Sequence, residues 1–108
     1  MRTVRWQIDT ETDLQRTPAH ARSKIRALTE TFLRQVPPHG TVKKLDLPPP
    51  WGAILQLSID RYRILFDVYD TQDTVEVVLV FEKPDHIDTI EAMLRWFGES
   101  TLPERRRQ

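Results

Sequence analysis

Residues 3 to 8, Thr-Val-Arg-Trp-Gln-Ile, alternate apolar Val4, Trp6 and Ile8 with polar neighbours, a period of two that predicts a half-buried strand. Asp9 or Thr10 stands where it can cap a short helix carrying Leu14. Thr17-Pro18 then predicts a second helix start, with Thr17 as N-cap and the proline at the first helical position, where its missing N–H is no loss. From there Ala21, Ile25, Leu28, Phe32 and Val36 recur at spacings of three and four, one apolar stripe on a long helix that Pro37-Pro38 and Gly40 stop.

Near Trp51 the period changes. Ala53 to Ile59, Arg61 to Tyr69 and Thr74 to Glu82 are rich in β-branched and aromatic residues, and the turn Asp70-Thr71-Gln72-Asp73 separates the last two. A meander of three antiparallel strands follows. Tyr62, Ile64, Phe66 and Val68 should share one face, with Val75, Val77, Leu79 and Phe81 as their partners across the hairpin. Leu65, Val78 and Val80 fall on the other face, so neither side of the central pair is polar and something beyond the helical hairpin must cover the second one. The last segment can do so: Asp88 with Glu91 three residues later resembles a capping box, Ile90, Met93, Leu94 and Phe97 form an apolar stripe, and Gly98 supplies the stop. The expected architecture is α+β, an N-terminal strand and helical hairpin packed on a small antiparallel sheet, with a C-terminal helix. One domain over residues 3–98 accounts for all of it, Pro48-Pro49-Pro50 is a stiff connector, and residues 99–108 read as a polar tail. Phe66 and Phe32 are expected in the core between sheet and long helix.

Composition narrows the class. A chain of 108 residues without cysteine has neither disulfides nor thiolate metal sites, and packing must hold it. No run reaches the roughly 18 apolar residues of a membrane span, and MRTVRWQIDT lacks the apolar core of a signal peptide, so a soluble cytoplasmic protein is expected. Sixteen Lys and Arg balance sixteen Asp and Glu, which gives no general attraction for nucleic acid. The halves differ: residues 1–50 hold nine basic against five acidic residues, and residues 51–108 hold seven against eleven, three of those seven being Arg105, Arg106 and Arg107.

An N-terminal strand, a helical hairpin, then Lys44-Leu45 and Trp51 leading into Leu55-Gln56-Leu57-Ser58-Ile59-Asp60-Arg61-Tyr62-Arg63-Ile64-Leu65-Phe66-Asp67 resembles the RelE/ParE toxin superfamily, in which a Tyr-Arg pair precedes an apolar run ending near an acidic residue. Val77-Val78-Leu79-Val80-Phe81-Glu82-Lys83-Pro84-Asp85-His86 is similar to the family's last strand and the short basic segment after it. The resemblance runs over about residues 3 to 97. It implies the toxin half of a type II toxin–antitoxin pair, with a cognate antitoxin as partner and either the ribosome with its mRNA or DNA gyrase as target. RelE-like cleavage uses basic side chains to hold the phosphate while a 2′-oxygen loses its proton and attacks. Carried over, Arg63 is the arginine of the Tyr-Arg pair and the phosphate contact, Lys83 lies near the basic position after the last strand, and His86 stands in for a missing terminal tyrosine as proton carrier. The family's other basic positions fall near Ile54, Gln56 and Ser58, none of them charged, which implies a weakened nuclease. A non-catalytic family member acting by protein binding, or an unrelated small α+β interaction module, is the alternative.

Each candidate also has a plainer role. Arg63 lies between Asp60 and Asp67 and suits a structural ion pair, Arg61 a solvated turn, and His86 a surface position before a helix. His20, His39 and His86 lack metal-ligand spacing, so no metal is expected, and with only three isolated glycines there is no phosphate loop and no sign of a cofactor. Trp6, Trp51 and Trp96 suit packing better than base stacking, as no basic residues interleave with them in one strand.

Overall fold

The computed structural model describes residues 2–34, 42–47 and 52–97. The elements are β1 (Thr3–Trp6), α1 (Ile8–Gln15), α2 (Ala19–Leu33), β2 (Val42–Leu47), β3 (Gly52–Ile59), β4 (Tyr62–Tyr69), a 3₁₀ turn at Asp70–Gln72, β5 (Thr74–Glu82) and α3 (Thr89–Phe97). They build an α+β sandwich on a five-stranded sheet of order β1-β5-β4-β3-β2. The expected meander is present as β3, β4 and β5. Two strands complete the sheet: β2, not foreseen as a strand, adds antiparallel to β3, and β1 adds parallel to β5, so the sheet is mixed rather than antiparallel. Val36, the Pro37-Pro38 and Gly40 stop, the proline connector, Trp51, Gly98 and the 99–108 tail lie outside the described residues.

The sheet is apolar on both faces. On one, α1 and α2 bring Leu14, Ala21, Ile25 and Leu33 against Leu57, Ile64, Phe66, Val77 and Val80. On the other, Ile87 and α3 residues Ala92 and Met93 cover Leu47, Ile54, Leu65, Leu79 and Phe81. That second cover is the one demanded by Leu65 and Val78.

Several local expectations change, each for a definite reason. Ile8 does not continue β1: the chain turns at Gln7, which holds the N-cap position of α1, and Ile8 is left 85% exposed. Neither Asp9 nor Thr10 caps that helix, and the Thr10 hydroxyl donates instead to the Gln7 carbonyl. Pro18, not Thr17, takes the N-cap position of α2, while the buried Thr17 hydroxyl donates to Leu14 O at 2.6 Å. The inward row of α2 runs Ile25, Thr29, Leu33, and Phe32, about 100° round the helix from Leu33, is 38% exposed instead of buried. In α3 the row facing the sheet is centred on Ala92 and Met93, so Ile90 and Leu94 point outward at 38% and 37% exposure.

The largest correction is in β5. Leu65 pairs with Leu79 but Phe66 with Val77, so Val78 is an extra residue, a β-bulge. The bulge inverts the alternation beyond it. Val80 joins Ile64 on the hairpin side, and Leu79 and Phe81 turn to the α3 side, opposite to the strict period-two assignment. Alongside, β1 stops at Trp6 opposite Val77, and α1 closes the uncovered edge: buried Asp13 accepts the Val80 N–H on Oδ2 at 3.3 Å.

Candidate functional site

Asp60 and Arg61 make the tight connection from β3 to β4, with Asp60 in the left-handed region at φ 53°. Arg63 follows on β4, opposite Ser58 on one side and Phe81 on the other. Strand alternation puts it on the α3 side with Leu65. Its Nη1 donates to the carbonyls of Asp60 and Tyr62, both at 2.9 Å, so the guanidinium curls back over the turn. It is not the expected ion pair with Asp60 or Asp67: the Asp60 carboxylate pairs with Lys24 Nζ at 2.7 Å.

Lys83 leaves β5 two residues past Phe81. Its backbone N–H donates to Arg61 O at 2.7 Å, which sets it diagonal to Arg63 across the β4–β5 ladder. Its Nζ donates to Pro84 O at 3.4 Å. Next comes the turn at Asp85 and His86, where His86 is exposed. The fold thus gathers Arg63 and Lys83 at one end of the sheet, with His86 on the adjoining turn. Arg61, an exposed turn residue as expected, adds a cation there, partly neutralised by Glu82 at 3.8 Å.

The neighbouring β3 positions are of another kind. Ile54 and Gln56 are buried, and Gln56 bridges two hydroxyls: its Oε1 accepts from Thr89 at the start of α3 at 3.1 Å, and its Nε2 donates to Ser58 Oγ at 3.5 Å. The strip expected to lack charge is therefore also enclosed by α3. Nothing in the sequence announced the Gln56–Thr89 contact, because a polar residue in a strand reads as solvent-facing until a helix is laid over it. On the hairpin face, burial raises the Tyr62 phenol above its usual value and the Glu82 carboxylate adds to the shift. Among the described residues no group of three or more His, Asp or Glu side chains is placed to hold a metal ion.

No family model matches the chain, and no curated protein matches it in sequence. Solved structures do. The toxin–antitoxin complex RelBE2 from Mycobacterium tuberculosis is 20% identical, with a TM-score of 0.65 over 78% of this chain and 93% of that one. The isolated E. coli RelE toxin is 15% identical, with a TM-score of 0.61 over 88% and 98%. The archaeal RelE–RelB complex from Pyrococcus horikoshii OT3 is 14% identical, with a TM-score of 0.61 over 80% and 98%. At such identities the likeness resides in backbone topology, and it agrees with the resemblance read from the Tyr-Arg strand: the chain has the fold of the RelE toxins.

Proposed function

We propose that this chain is the RelE-like toxin component of a type II toxin–antitoxin pair, held inactive by a cognate antitoxin, with at most a slow ribosome-dependent cleavage of mRNA. The observation that carries this reading is the fold itself, which aligns with nearly the whole isolated E. coli RelE toxin, together with the placing of Arg63 beside Lys83 at one end of the sheet. In this reading the two cations hold a phosphate and balance the charge that builds on its oxygens, and exposed His86 carries the proton. The protein works in the cytoplasm, and none of its described helices is long and apolar enough to cross a membrane.

The reaction is slow for an electrostatic reason. Ile54, Gln56 and Ser58 bring no charge to the transition state, and one missing contact of this kind typically lowers a rate by about 10²- to 10³-fold. A second reading, a non-catalytic protein that acts by binding a gyrase-type target or the antitoxin alone, is favoured by the burial of Ile54 and Gln56 under α3. Primer extension on translating ribosomes decides between them. Weak cleavage that disappears in Arg63→Ala supports the nuclease, and no cleavage by folded protein supports the binding role. Robust cleavage that Arg63→Ala leaves unchanged overturns the weakened-nuclease reading and the site alike.

A further inference from the structure

A cleft of about 160 Å³ opens where α1 ends, beside α3 and the segment that follows β5. Arg16, Arg95 and Glu82 give it charge, and Pro84, Ile87 and Trp96 give it an apolar floor. Arg16, the C-cap residue of α1, is fixed twice: its guanidinium lies over the Trp96 ring at 4.2 Å, and its Nη1 donates to the Trp96 carbonyl at 2.7 Å. The other charges are matched. Arg95 pairs with Glu91 at 2.7 Å, and Glu82 faces Arg61 at 3.8 Å. Arg16 has no carboxylate partner among the described residues, and its only acceptor there is that carbonyl. A guanidinium has five N–H donors and suits carboxylate geometry, so an ordered one with spare donors beside an apolar floor is a preformed half of an ion pair.

We propose that this cleft takes one carboxylate side chain of a protein partner, an Asp or Glu next to an apolar side chain that lies on Pro84 and Ile87. The matched pairs leave a surplus of a single positive charge, enough for one carboxylate. A nucleic-acid strand fits worse, because a single unmatched cation meets only one phosphate of a chain that carries one on every nucleotide, and the Trp96 face on which a base would stack is occupied by Arg16. The inference does not rest on the toxin reading.

The test follows the tryptophan indole N–H signals of the full chain by two-dimensional ¹H–¹⁵N NMR. The Trp96 Nε1 is buried with no acceptor among the described residues, so its signal responds to small changes in packing around it. Titration with acetyl-Leu-Glu-Leu-amide should move that signal with a Kd on the order of 1 mM, the range for one ion pair and a small apolar contact. The isosteric acetyl-Leu-Gln-Leu-amide should bind about tenfold more weakly, the factor that 1.4 kcal/mol represents. Arg16→Gln, neutral yet still able to donate to the Trp96 carbonyl, should lose a similar factor, while Lys24→Gln on the hairpin should lose nothing. If Arg16→Gln disturbs α3, Arg16→Lys replaces it, with a loss of a few-fold expected from its missing planar fork. Equal binding of the two peptides, full affinity in the Arg16 variant, or no shift at tens of millimolar peptide overturns the proposal. So does an oligouridylate that moves the Trp96 signal at lower concentration than the glutamyl peptide.

Discussion

Phe66 has no exposed surface and sits at the centre of the hairpin-side core, between β3 and β5 and beneath α2. Truncation there removes a full ring and leaves a cavity that rigid neighbours do not fill, so Phe66→Ala should cost about 3 to 5 kcal/mol. Phe32 sets the contrast. It has the same side chain on the amphipathic helix α2, yet at 38% exposure it turns from the sheet while Leu33 is fully buried. Phe32→Ala should therefore cost clearly less, about 1 kcal/mol or below, as for many partly exposed sites. Urea unfolding of the two variants checks the pair, and equal losses would mean that the inward row of α2 is misassigned. Gln56 and Asp13 make the same point for polar groups: both are nearly fully buried, and both are tolerated because partners reach them, Thr89 in one case and the Val80 N–H in the other.

Among the elements, α3 depends most on its first turn. Asp88 Oδ1 accepts the Glu91 N–H at 2.8 Å, the capping contact expected from the spacing of these two residues. Farther along, Met93 and Ala92 hold the helix to the sheet, and Arg16 clasps its last turn through Trp96. Loss of the cap removes an acceptor for an N–H that the helix itself cannot satisfy. Asp88→Ala should destabilise the protein by about 0.5 to 2 kcal/mol, with the effect concentrated in α3. Hydrogen exchange locates it: faster exchange across Thr89–Phe97 with β4 unchanged is the expected result, and uniform acceleration would show that α3 does not open separately from the sheet. The β5 bulge is the other decisive local feature, since one extra residue at Val78 places Leu79 and Phe81 under α3 and returns Val80 to the hairpin side. Period-two counting has no way to register an insertion of one residue, because valine suits either face and no glycine marks the spot.

At the scale of the whole molecule, the toxin reading predicts a growth phenotype. Expression of this chain alone should slow or arrest bacterial growth, and coexpression of its genetic neighbour should restore growth and yield a complex that survives purification. Normal growth at high levels of folded protein, with no complex formed, would leave the fold without the proposed function. The change to strand period comes before Trp51, because β2 already occupies Val42–Leu47, but the β3–β5 meander, the two apolar sheet faces, the cap at Asp88, and the Tyr-Arg strand with its uncharged neighbours can all be read along the chain. These are legible because periodicity, turn chemistry and capping act between residues close along the chain. Packing between distant segments settled the rest: the parallel seat of β1 against β5, the edge strand β2, the outward turn of Phe32, the bulge at Val78, and the enclosure of Gln56 by Thr89. Each of these depends on groups far apart in sequence, such as Gln56 with Thr89 or Arg16 with Trp96. Which face of an element is buried is settled by what lies against it, and no local pattern carries that.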